Sequence, residues 1–146
     1  MNTHSGFRVL YFAEMHPLHG AEVVLKAVRM LRDEPVITFE VIGPLPRRLP
    51  RPKQQNVCYI NWLSQEELAE HIAQADLCLA GHFNDEIAKA KRTIPGKAYI
   101  FEAMQKPMIL GESKANRERF GETASQVYVP QGDAKALANA IKEMSH

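Results

Sequence analysis

Short apolar runs alternate along this chain with stretches whose apolar residues recur at helical spacing. Residues 7–13 (FRVLYFA), 37–43 (ITFEVIG), 56–62 (NVCYINW), 76–80 (DLCLA), 107–111 (PMILG) and 126–130 (QVYVP) read as strands. Their near-continuous apolar character suits strands buried on both faces. Between the first two, Val24, Val28 and Leu31 keep a helical period, and Asp33, Glu34 and Pro35 stop it. Ser64 opens a second helix, with Glu67 at capping-box spacing and Leu68, Ile72 and Ala75 on one stripe. A third helix is predicted over 95–104, with proline in the first turn, where its missing N–H costs nothing. A short one follows over 115–120. Asp133 caps a last helix that carries Leu137, Ile141 and Met144 on one face. Strand and helix thus alternate, which predicts an α/β fold: a Rossmann-like parallel sheet with helices on both faces. No repeat, low-complexity tract or linker divides the chain, so 1–146 reads as one domain.

Two stretches break the pattern. Residues 44–53 (PLPRRLPRPK) can form neither helix nor central strand. A long loop runs from Gly81 to about Ile94 and carries Lys89, Lys91 and Arg92, with Lys97 just beyond it. Formal net charge is only +1, so any anion site must be local. In sheets of this kind ligands lie beyond the carboxyl ends of the strands. The loops after Ala13, Gly43, Ala80 and Gly111 should line the site. Lys89, Lys91, Arg92 and Lys97 beside a helix N-terminus are suited to a nucleotide diphosphate, and Gly96 would let it approach the backbone. A solvated basic loop remains the alternative. His19, at the tip of the loop after the first strand, and His82, after the fourth, are placed to reach the same ligand; a capping or packing role for His19 stays open.

Several classes of chemistry are disfavoured. Neither GxGxxG nor GxxxxGK[ST] occurs, which argues against nicotinamide binding and P-loop hydrolysis. Only Glu14 lies near the end of the first strand, too few acids for a receiver domain. His16 and His19 form an HxxH without a third ligand, so no metal is expected. Cys58 and Cys78 lie in apolar runs without a CxxC, and read as buried free thiols. No apolar run reaches membrane-spanning length and no signal core opens the chain, so residence is expected to be cytoplasmic. Arg47, Arg48, Arg51 and Lys53 lack the interleaved aromatics of a nucleic-acid site. They read as a solvated loop, or as a peripheral contact with anionic lipid or a lipid-phosphate acceptor. His71 is expected at the surface, and Trp62 in the core or at a domain interface.

Six segments, in order, resemble the C-terminal, donor-binding half of GT-B-fold glycosyltransferases of family 4, the group 1 type. They are PLHG (17–20), FEVIG (39–43), NWLSQEELAEHIAQADLCL (61–79), KAKRTIPGKAY (89–99), KPMILGES (106–113) and VPQGDAKALANAI (129–141). The resemblance implies a nucleoside-diphosphate-sugar donor as substrate, no cofactor, no obligatory metal and retention of anomeric configuration. It implies a role in polysaccharide biosynthesis and an acceptor-binding N-terminal half, absent from these residues, as partner. Ser113 and Asn116 fall where the family contacts the donor, although Ser113 also suits a helix cap.

The chain departs from the family pattern in places. Ala13, Glu14 and His19 stand where many members carry a Gly-Arg and a Lys against the diphosphate. The two glutamates that many members carry fall at Arg92 and Ile100. Glu102 is two residues from the ribose-gripping position, about 200° round a helix, and also suits a pair with Lys106. A degenerate, non-catalytic nucleotide-binding or docking module is therefore the alternative reading.

Overall fold

A computed structural model describes residues 6–13, 20–45, 47, 49–83, 96–123 and 125–146. The elements run β1 (Phe7–Phe12), α1 (Ala21–Met30), β2 (Ile37–Ile42), β3 (Val57–Ile60), α2 (Gln65–Gln74), β4 (Leu77–Gly81), α3 (Gly96–Ala103), β5 (Met108–Gly111), α4 (Lys114–Phe120), β6 (Gln126–Val129) and α5 (Ala134–Met144). The strands form one sheet in the order β3-β2-β1-β4-β5-β6. Every pairing is parallel. Side chains alternate between two cores. Val9, Tyr11, Phe39, Val41, Leu77, Leu79 and Ile109 pack with α1 and α5. Leu10, Ile42, Cys78, Met108 and Leu110 pack with α2, α3 and α4. The predicted doubly covered α/β sheet is therefore the observed one, with strand ends shifted by a residue or two.

Local signals in the chain were obeyed at the helix starts. The Ser64 hydroxyl accepts the Glu67 N–H at 3.1 Å, and the Glu67 carboxylate accepts the Ser64 N–H at 3.2 Å. Asp133 caps α5 by accepting the Ala136 N–H at 2.9 Å. Leu137 and Ile141 are buried beneath that helix.

The crossover from β2 to β3 holds no helix among its described residues. Instead, extended chain is stitched to α1 and β3 by side chains. Gln54 Nε2 donates to Val28 O at 2.9 Å, Asn56 Nδ2 to Leu31 O and Ile37 O at 3.0 and 3.1 Å, and the Tyr59 hydroxyl to Pro52 O at 2.6 Å. The prolines explain this: they remove N–H donors a helix needs.

Two expectations are corrected and one is narrowed. Cys58 is exposed, not buried, because β3 is an edge strand and its side chain lines an open depression beside Arg8, Thr38 and Glu40. Of the two places expected for Trp62, only the core is excluded: it is 74% exposed, two residues past the end of β3. His71 is half-buried rather than superficial, with Nδ1 2.9 Å from the Glu40 carboxylate.

Candidate functional site

The strand order reverses between β1 and β4, since successive strands add outward on one side from β1 and on the other from β4. At such a switch point the loops leave in opposite directions and open a crevice at the carboxyl ends. Ala13 closes β1 by donating its N–H to Ile42 O at 2.6 Å. Close approach is built in there: a Cβ on Gly43, at φ 101°, would sit 2.1 Å from Ala13 O. Gly20, left-handed at φ 65°, leads into α1.

Lys97, in the first turn of α3, comes to this point. It is 4% exposed. Its Nζ donates to the carbonyl of Phe12, the last residue of β1. The ammonium also lies 4.9 Å from the Tyr11 ring centroid and 5.3 Å from that of Phe12. A buried cation is costly unless dipoles and π faces surround it. Here both do: the Phe12 carbonyl and the Tyr11 and Phe12 rings face the Lys97 side-chain nitrogen at the switch point.

His82 follows β4 and is 4% exposed. Its carbonyl accepts Gln131 Nε2 at 3.2 Å, while Phe83 O accepts the Gly132 N–H at 2.6 Å. Gly111 is required beside it, because a Cβ there would lie 1.9 Å from His82 O. Ser113 is buried and caps α4, accepting the Asn116 N–H at 3.0 Å. Asn116, fully buried, donates from Nδ2 to Gly111 O at 2.8 Å and Gly81 O at 3.3 Å, tying the ends of β5 and β4 together.

Glu102 does not join this group. It lies five residues beyond Lys97, about 140° round the helix. Its carboxylate accepts both terminal nitrogens of Arg119, at 2.7 and 3.1 Å. The Arg119 guanidinium in turn lies over Tyr99 and Phe120, at 5.0 and 4.9 Å. The pair with Lys106 is corrected as well: that ammonium donates to Ala73 O and Ala75 O, at 2.6 and 3.0 Å. His19, Lys89 and Arg92 lie outside the described residues, as do Glu14, His16 and Lys91.

Beyond β5, Arg117 grips Glu112 with Nε and Nη2, at 2.5 and 2.6 Å, and Nη1 reaches Glu122. Its hydrogen bonds hold the Glu112 carboxyl below the usual range. Among the described residues no group of three or more His, Cys, Asp or Glu converges as a metal site. Lys97, His82 and Ser113, expected near the strand ends, lie there, at the ends of β1, β4 and β5; the Gln131–Gly132 clasp and the Arg119–Glu102 pair were not foreseen from the sequence. VPQGD announces a turn, but nothing local in it points to His82 or Phe83.

Lys97 is thus buried at the switch point of a doubly wound, Rossmann-like α/β sheet. The family model for group 1 glycosyl transferases matches residues 6–146, and the chain belongs to that family. Comparison by sequence with curated proteins gives no match. The fold is similar to that of Anabaena HepE in complex with UDP and glucose, with TM-score 0.68, 15% identity, and coverage of 97% of this chain and 41% of that one. Sucrose-phosphate synthase from Thermosynechococcus elongatus gives TM-score 0.70 and 19% identity over 95% of this chain and 36% of that one. The C-terminal domain of a group 1 glycosyl transferase, LpcC of Francisella tularensis, gives TM-score 0.68 and 13% identity over 94% and 74%. The chain therefore spans about two fifths of the length of HepE and has the architecture of one half of a GT-B fold.

Proposed function

We propose that this chain is the donor-binding half of a retaining glycosyltransferase, taking a nucleoside-diphosphate sugar at the β1–β4 crevice. The observation that carries the reading is Lys97, a buried cation in the first turn of α3 against the end of β1. In such a transfer the bond from the sugar's anomeric carbon to the diphosphate breaks, and negative charge grows on the departing oxygens. A fixed cation beside them stabilises that charge more than it stabilises the bound donor. Lys89 and Arg92, before α3, and His19, before α1, are proposed to supply further contacts, with His82 and Ser113 at the ends of β4 and β5. The reading takes no cofactor and no obligatory metal. The acceptor would be positioned by a second α/β half, in the same polypeptide or a separate chain, and the isolated chain would transfer slowly without it. Residence in the cytoplasm and a role in polysaccharide biosynthesis belong to this reading.

One observation favours a second reading, a non-catalytic nucleotide-binding or docking module. Glu102, the acid nearest the ribose-gripping position, is engaged by Arg119. Titration calorimetry with UDP and GDP separates nucleotide binding at the crevice from a docking module. A cation about 4 Å from a phosphate oxygen is worth roughly 1 kcal/mol in water and about 4 in a partly dried cleft. Lys97→Met should weaken binding between about fivefold and several hundredfold, Lys97→Arg less, and Lys53→Ala not at all. No heat with either nucleotide, or equal binding by Lys97→Met, favours the docking module.

A further inference from the structure

The described residues of the β2–β3 crossover form no helix beside α1, and a groove opens between them and α1. Its volume is about 150 Å³, and Glu22, Leu25, Lys26, Arg29, Leu49, Pro50 and Pro52 line it. Leu25 and Pro52 are buried in its wall and Leu49 half-buried. Lys26 and Arg29 stand exposed on the α1 side. Arg47, Arg51 and Lys53 stand exposed on the chain that forms the other side. Glu22 is the acid in the lining. In a protein of net charge +1, this is a concentrated basic rim round an apolar floor.

We propose that this face is a docking surface for an anionic phospholipid bilayer. The charges decide the sign of the partner, and their spread over a helix and a facing loop suits a field of headgroups. A partner peptide is less well served. Pro44, Pro50 and Pro52 lack the N–H groups that strand addition needs. The groove, at about 150 Å³, has room for a few methylene groups, not for the row of anchors an amphipathic helix would insert. In the docked state the five cations lie at phosphate level and Leu49 and Pro50 reach the acyl boundary. The surface shares no lining residue with the β1–β4 crevice, so it does not depend on what that crevice binds.

Co-sedimentation of the purified chain with vesicles tests this, using phosphatidylcholine with and without admixed phosphatidylglycerol at low salt. Binding should require phosphatidylglycerol and fall with added salt. Each cation near an anionic surface contributes about fivefold in partition. The double variant Lys26→Glu/Arg29→Glu should therefore lose about a hundredfold or more, with its melting temperature and far-UV circular dichroism unchanged. The control Lys114→Glu/Lys135→Glu changes net charge equally on other faces and should lose less than about tenfold. Absence of binding to the anionic vesicles, an equal loss in the control, or retention by soluble polyglutamate instead of vesicles would each overturn the proposal.

Discussion

Replacing Asn116 by alanine would test how the candidate site is held. The side chain is fully buried, and its Nδ2 supplies hydrogen bonds to two strand-end carbonyls, Gly111 O at 2.8 Å and Gly81 O at 3.3 Å. Truncation orphans both acceptors in a dry site, at about 1–3 kcal/mol each. Against this, Oδ1 of the same amide is buried with no partner, and its loss returns about 1 kcal/mol. The net destabilisation is then about 1–5 kcal/mol. For a domain of this size about 1 kcal/mol moves Tm by about 3 °C, so Tm should fall by about 3–15 °C in a calorimetric or circular-dichroism melt. The urea midpoint should drop with m unchanged. Asn116→Asp discriminates further, because a carboxylate facing two carbonyls can donate to neither. Burial would raise that acid's folded pKa above its unfolded value. Its deficit relative to wild type should therefore grow as pH rises through the folded pKa and narrow below the unfolded one. Asn116→Ala within about 0.5 kcal/mol of wild type, or Asn116→Asp as stable as wild type at neutral pH, would refute the reasoning.

The two thiols should behave oppositely. Cys58 is exposed, while burial pushes the Cys78 thiol from 9.0 up to about 12, tempered by Lys106. Ellman's reagent should titrate one thiol in the native chain and both after denaturation. Because the unfolded thiol ionises first, the stability tied to Cys78 is full below pH 9 and lost as pH rises toward 12. The loss is about 1.4 kcal/mol per pH unit. Urea melts of wild type against Cys78→Ala should reveal this difference in slope. Gly111→Ala places a methyl on His82 O and should cost about 3 kcal/mol, read as a drop in urea midpoint; a neutral result would mean that the ends of β4 and β5 are not packed this closely.

What was legible in the chain divides by the distance over which a residue must find its partner. The Ser64–Glu67 box and the Asp133 cap are complete within four residues, and both formed where the spacing put them. The strands were legible because burial on both faces leaves little choice of residue. Cys58 was misjudged at the sheet's edge, where an apolar run no longer implies cover on every side. The pair expected between Glu102 and Lys106 failed for a geometric reason. The helix ends at Ala103 and Gln105 turns to φ 58°, so Lys106 is off the helical lattice that an i,i+4 contact requires. Released from that register, Lys106 reaches the last carbonyls of α2, and Glu102 takes Arg119 from the next helix. The position of Lys97 at a helix start was readable, but its partner, Phe12, is 85 residues away. Only the β1–β4 reversal brings them together. Composition marked the basic stretch out, while the topology buried Lys97 against the end of β1.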